Sequence, residues 1–63
     1  MTHAIDKLTS LNHATVLDYG FIIECSDETI QALLEVGNVR NANQFLDLYE
    51  GFELGDFIKE MTE

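Results

Sequence analysis

The stretch QFLDLYEGFELGDFIKEMTE, residues 44–63, carries the most regular pattern in this sequence. Apolar side chains recur through it, and acidic side chains recur among them at steps of three or four residues. Residues three and four apart lie on one face of an α-helix, so the spacing predicts amphipathic helix. One stripe of side chains is expected in a core, and another is expected to present carboxylates at the surface. The acids are Asp47, Glu50, Glu53, Asp56, Glu60 and Glu63.

Two glycines divide this stretch. Inside a helix, Gly51 and Gly55 would each cost roughly 1 kcal/mol relative to alanine, which disfavours one unbroken helix. We predict one helix from about residue 40 or 41 to Glu50, ended by Gly51, and a last helix over residues 54–61. The side chains predicted to face inward are Phe45, Leu46, Leu48 and Tyr49 in the first helix and Phe57, Ile58 and Met61 in the second.

A third helix is predicted over residues 26–36. Ser26 or Asp27 is the expected N-cap, and acids follow near the positive end of the helix dipole. Gly37 is the expected C-terminal stop, with Asn38 helping to end the helix. Its apolar stripe is formed by Ile30, Leu33, Leu34 and Val36.

A short helix is also predicted near the N-terminus, over residues 2–12. Thr2 is its candidate N-cap and Asn12 is a plausible end. A helix of about three turns needs tertiary contacts to persist in water. Its predicted inner face consists of Ala4, Ile5, Leu8 and Leu11.

The segment ATVLDYGFIIEC, residues 14–25, has a different character, because it is rich in β-branched and aromatic residues. That composition favours extended structure. A small hairpin could pair residues 15–17 with residues 21–23, or a single strand could bend at Gly20. A helix with Val16, Tyr19 and Ile23 on one side is the third alternative. An unpaired strand would need a second edge, either from a homodimer or from the sheet of a partner.

The fold class predicted from these elements is mainly α, or α+β if residues 14–25 are extended, with three or four short helices in one domain over residues 1–63. A chain of 63 residues buries only about 60% of the surface that its unfolded form exposes. Cys25 is the single cysteine, so no disulfide can form within the chain. A lone cysteine and the lack of a long apolar run favour a cytoplasmic protein that does not enter a membrane.

The net charge of −9 is the strongest functional signal. It repels nucleic acid and anionic membranes and attracts basic surfaces. We therefore expect a non-enzymatic inhibitor or regulator that docks on a basic, nucleic-acid-binding surface of a larger protein, in the way of the DNA mimics that phages and mobile elements make. The ordinary alternative is that the acids are only the solvated faces of two helices. The residues expected to bind the partner are Asp47, Glu50, Phe52, Glu53, Asp56 and Glu60.

Other chemistries find little support in the residues. Cys25 and His13 are the only nucleophile and base that could be paired, and nothing in the sequence places them together. The four glycines are dispersed and form no phosphate-binding loop. Acids around Gly51 do not have the spacing of a calcium loop, and zinc ligands do not occur in pairs. We expect no catalytic residue, no metal and no cofactor.

From Glu28 onward the spacing resembles that of a ubiquitin-associated domain, a three-helix module. The corresponding residues are Ile30–Val36-Gly37-Asn38, then Phe45-Leu46, then Phe52-Glu53-Leu54 leading into Phe57-Ile58. The Met and Phe of that family's binding loop are absent here. The resemblance implies an alternative function, in which a small helical or dimerising accessory protein binds its partner through an apolar face.

Overall fold

The computed structural model describes residues 3–62, which form five helices joined by short loops. The predominance of helix confirms the mainly α prediction, with one helix more than the three or four expected. The predicted N-cap at Thr2 lies outside the described residues. The helices are α1 His3–Thr9, α2 Tyr19–Glu24, α3 Asp27–Gly37, α4 Ala42–Tyr49 and α5 Leu54–Thr62.

Three helix starts follow the same local rule, in which a side-chain oxygen accepts a hydrogen bond from a free backbone N–H of the first turn. Asp18 Oδ1 accepts from Phe21 N at 2.9 Å at the start of α2. The bonds at α3 and α4 are equivalent, from Thr29 N to Ser26 Oγ at 3.3 Å and from Gln44 N to Asn41 Oδ1 at 2.9 Å. The predicted N-cap at Ser26 is therefore confirmed.

The two extended predictions for residues 14–25, a hairpin and a single strand bent at Gly20, are wrong, because Tyr19–Glu24 forms α2. The Asp18 cap and the burial of Ile22 favour a helical turn over the extended conformation that the β-branched residues prefer on their own. Helix, the third alternative for this segment, is correct from Tyr19 onward. Among residues 3–62, the strand-like pairing consists of one antiparallel bridge, between Val16 and Glu53.

The C-terminal end of α3 differs from the prediction by one residue. Gly37 is still helical, and Asn38 adopts the left-handed conformation at φ 57° and ψ 46°. Its N–H is bonded to the carbonyls of Glu35 and Leu34. A Cβ on Gly37 would stand 3.3 Å from Cδ1 of Phe45, which is closer than most contacts of this kind, so Gly37 allows the two helices to pack tightly.

All five helices contribute to one core, and α1 packs on α3 and α5 while α3 packs on α4. The ring of Phe57 meets Phe45 and Tyr49 at centroid distances of 5.2 and 4.8 Å. The expected burial of Phe45, Leu46, Phe57 and Ile58 is confirmed. Leu48 was expected to face inward and is 59% exposed. The buried side of α4 follows Phe45, Leu46 and Tyr49, and Leu48 is turned about 100° from Tyr49.

Residues 13–17 are joined by four backbone hydrogen bonds to residues 51–55, which include the first two residues of α5. These two segments are called the paired loops below. Leu17 N donates to Phe52 O at 2.8 Å, and Gly51 N donates to Leu17 O at 2.9 Å. Leu54 N donates to Thr15 O at 2.7 Å, and Gly55 N donates to His13 O at 2.9 Å. Gly51 supplies a positive φ of 93°, which a residue without Cβ adopts without strain. The paired loops therefore fix the position of the turn between α4 and α5, the two helices that contain the predicted acidic residues.

Candidate protein-binding surface

The six predicted site residues lie on two helices and the loop between them. Asp47 is in the last turn of α4 and Glu50 directly follows that helix. Phe52 and Glu53 belong to the paired loops, and Asp56 and Glu60 are on α5. The regular spacing of acids in the sequence therefore does not correspond to one continuous helical face.

The structure brings four of these six residues to one place. Glu53, Asp56 and Glu60 line a shallow surface depression, whose other lining residues are Gly51, Phe52 and Lys59. We call this surface the acidic depression. Asp47 and Glu50 lie outside its lining. A partner that reached all five predicted acids would have to contact both α5 and the end of α4.

The acids in residues 3–62 are all exposed, and their charges are hardly neutralised within the chain. The one ion pair found in that range joins Lys7 Nζ to Glu28 Oε2 at 3.7 Å, between two largely exposed side chains. Such a surface pair contributes little to stability. Lys59 shares the acidic depression but lies beyond ion-pair distance of its carboxylates. Most of these carboxylates are therefore available to interact with solvent or with a partner.

The helix dipole distinguishes two groups among these acids. Glu53 directly precedes α5, and its backbone carbonyl accepts the first intrahelical hydrogen bond, from Phe57 N at 3.0 Å; Asp56 is in the first turn. Carboxylates there are favourable, because the helix N-terminus carries partial positive charge. These two acids thus have a structural role as well as a place in the acidic depression.

Acids at the opposite ends of helices have no such role. The last turns of α2, α3 and α4 contain an acid and no base, and in α5 an acid follows Lys59. The C-terminal end of a helix carries partial negative charge, so a carboxylate there is unfavourable. The residues concerned are Glu24, Glu35, Asp47 and Glu60.

Phe52 lies between core and surface. It is half-buried, and its ring meets Tyr49 edge to face with centroids 5.6 Å apart and planes at 89°. Through Tyr49 it is connected to the buried rings of Phe45 and Phe57. Phe52 therefore supports the core and also lines the acidic depression.

Cys25 lies in a setting that suits a packed thiol better than a nucleophile. It is half-buried, next to Leu11 and Phe21 in a small cleft. Burial, and secondarily the charge of Glu24, raise the pKa of the Cys25 thiol. A higher pKa lowers the fraction of the reactive thiolate. His13 is engaged elsewhere, with Nε2 2.9 Å from Thr9 O.

Among residues 3–62, no three His, Cys, Asp or Glu side chains are grouped so that they could hold a metal ion. Within the same range, no helix combines the length and the apolar character required to cross a bilayer.

One surface feature was not predicted as a binding site, although the helical alternative for residues 14–25 placed its three residues on one side. Val16, Tyr19 and Ile23 are 45%, 56% and 78% exposed, respectively. We call these three side chains the apolar ridge. The available signal was the spacing of three and then four residues between them, which the prediction of a hairpin did not use.

Comparison of the chain with protein-family models, curated protein sequences and solved structures finds no match. The resemblance to a ubiquitin-associated domain stays a prediction.

Proposed function

We propose that this protein is a non-enzymatic, acidic protein-binding module that docks on a basic surface of a larger cytoplasmic protein and regulates or inhibits it. The observation that carries the proposal is the position of acids such as Asp47 and Glu60. They lie in the last turns of helices, where the dipole makes them unfavourable. Because function can conflict with stability, we take acids at positions that lower stability as support for a binding role.

The electrostatics give the partner its chemistry. With a net charge of −9 on 63 residues, the protein attracts clustered Lys and Arg side chains and increases the rate of encounter with them. Carboxylates repeated across α5 and the end of α4 resemble the repeated charges of a nucleic-acid backbone. A basic groove that binds phosphates is therefore the partner surface that we expect, and direct binding of nucleic acid by this chain is not expected.

The test begins with capture of the partner from host lysate at low and high salt, followed by binding measurements on the purified partner. Affinity should fall steeply as the Debye length decreases from about 10 Å at 0.1 M to about 3 Å at 1 M salt. A short DNA duplex should displace the protein from its partner. Affinity that is insensitive to salt, together with no competition by DNA, would contradict the proposal.

Charge-reversal variants locate the surface. Asp47→Lys/Glu60→Lys should abolish binding at physiological salt, because both changes fall on the proposed surface. The matched control is Asp6→Lys/Glu28→Lys, which changes the net charge equally on α1 and in the first turn of α3, away from the proposed surface. Equal losses in the two variants would mean that only total charge matters, and no defined surface would exist. Far-UV circular dichroism should show the same helix content in both.

A further inference from the structure

The apolar ridge is a surface that the acidic proposal does not use. Single exposed apolar residues are ordinary on a monomer, but here three of them occur within eight consecutive residues, Val16 to Ile23. We infer that the apolar ridge anchors an amphipathic basic segment of the partner, whose apolar side chains cover the ridge while its Lys and Arg side chains meet the carboxylates beside it. This inference rests on the proposed function and adds an apolar contact to it.

The three side chains of the ridge are close together. Tyr19 and Ile23 are four residues apart in α2, which places them one above the other on the same helical face. Val16 precedes Tyr19 by three residues, so their Cα atoms are at most about 11 Å apart. Tyr19 and Ile23 are separated by about 6 Å, so the ridge is at most about 17 Å long and can be covered by roughly three turns of a helix.

The ridge is held in place by the rest of the fold. Asp18 caps α2, and the neighbouring Ile22 is buried in the core. The hydroxyl of Tyr19 donates a hydrogen bond to Asn43 Oδ1 of α4 at 3.2 Å. Ile23 is exposed because Ile22, one residue before it, occupies the inward direction. A surface fixed in this way loses little conformational freedom when a partner binds.

The paired loops place a carboxylate at one end of the ridge. The bonds from Leu17 N to Phe52 O and from Leu54 N to Thr15 O make Val16 and Glu53 a non-hydrogen-bonded antiparallel pair. In such a pair the two side chains lie side by side on one face, with Cβ atoms roughly 4.5–5.5 Å apart. The ridge is therefore continuous with the acidic depression.

The other neighbours of the ridge carry the same charge. Glu24 directly follows Ile23, and Asp18 precedes Tyr19, and both carboxylates are exposed. A second copy of this chain would place these acids against identical acids, with a net charge of −9 on each side. An anionic lipid surface would be repelled for the same reason. Charge complementarity selects a basic segment with apolar side chains on one face.

The test uses a defined probe, an 18-residue peptide with leucines on one helical face and lysines on the other. Its comparator has the same lysines, with serine in place of every leucine. Wild-type protein should bind the leucine peptide at least about tenfold more tightly, as expected for burial of apolar side chains. Amide shifts in nuclear magnetic resonance spectra should extend over residues 16–24.

Two matched variants decide the result. Ile23→Ser should weaken binding of the leucine peptide about tenfold, whereas Leu48→Ser should change it less than twofold. Leu48 is the control because it is equally apolar and 59% exposed, but lies on α4. Equal effects of the two substitutions would overturn the inference, as would a protein dimer that Ile23→Ser dissociates. A second result would separate the two proposals: Asp47→Lys/Glu60→Lys abolishes binding of both peptides, and Ile23→Ser changes neither affinity. That result would refute the inference about the apolar ridge and would still support the proposed acidic surface.

Discussion

Gly55 lies so close to His13 that a Cβ atom on Gly55 would stand 2.8 Å from Cβ of His13. The same atom would be 3.3 Å from the His13 carbonyl oxygen, which already accepts a hydrogen bond from Gly55 N. The contact therefore involves the start of a side chain and backbone, neither of which can turn away. The absence of a side chain at Gly55 is what allows the paired loops to meet.

The first prediction follows from this contact. Gly55→Ala should destabilise the protein by about 1–3 kcal/mol, because overpacking exceeds the gain of about 1 kcal/mol that alanine normally brings to a helix. Urea unfolding of both proteins measures the difference. Adding His13→Gly, which removes the clashing Cβ, should recover part of the loss.

The control for that prediction is Gly20, in α2. A Cβ there would lie 3.4 Å from Asp18 Oδ1, an ordinary contact. Gly20→Ala should therefore leave stability unchanged or raise it by up to about 1 kcal/mol. Destabilisation by both substitutions alike would refute the view that the contact with His13 is special.

The second prediction concerns acids at opposite helix ends. Asp47→Asn and Glu60→Gln remove a charge from the last turns of α4 and α5, so each should stabilise the protein by about 0.3–1 kcal/mol at low salt. Asp56→Asn, in the first turn of α5, should destabilise it by a similar amount. Urea unfolding at low salt distinguishes the two signs, and 1 M salt should reduce all three effects. If all three variants were less stable than wild type, the helix dipole would not determine the sign of the change in stability.

The third prediction separates stability from binding. If the proposed function is correct, Asp47→Asn/Glu60→Gln should unfold at higher urea concentration than wild type and bind the partner more weakly. A structural role would move both quantities in the same direction. Titration of the partner at fixed salt, alongside unfolding of the same preparations, gives the comparison.

The fourth prediction concerns the start of α2. Asp18→Ala removes the acceptor of the Phe21 N–H bond and should cost about 1 kcal/mol. Asp18→Asn should cost much less, since asparagine caps a helix about as well as aspartate. Thermal unfolding measures both. Equal losses would show that the charge of Asp18, rather than its capping bond, is important.

The fifth prediction concerns the thiol of Cys25. Burial first, and Glu24 second, raise its pKa, so at a given pH less of it is thiolate than in an unfolded chain. Alkylation by iodoacetamide should be slower in the folded protein than in urea, and its rate should rise at a higher pH. Glu24→Gln should move that rise to lower pH. A folded protein that reacts faster than the unfolded one would contradict the predicted direction.

Local signals in the sequence were sufficient for most of the helices. Caps such as Ser26 and the apolar period around Phe57 are properties of neighbouring residues, and both led to correct elements. The segment around Tyr19 is helical and not extended as predicted, because its intrinsic β preference is overridden by the Asp18 cap and by burial of Ile22. Such a competition depends on tertiary packing, which a single sequence does not contain.

The surface could be predicted less completely than the helices. The acidic character was evident in the sequence, but the acidic depression forms only because the chain turns at Gly51 and Glu53 meets Val16 across the paired loops. The exposure of the apolar ridge also could not be predicted, because the exposure of Ile23 depends on which side of α2 faces the core.

The paired loops also determine how the protein comes apart. Their hydrogen bonds connect Leu17 with Phe52 and Thr15 with Leu54. The amides of Leu17 and Leu54 are therefore protected only while these two segments, one from each half of the chain, remain paired. Hydrogen exchange at these amides then requires the two paired loops to separate, which fraying of one helix end does not accomplish. A chain shortened at residue 50 loses all four of these bonds and the buried side chains of α5 together. We therefore expect the five short helices to unfold as a single cooperative unit, as small single domains usually do.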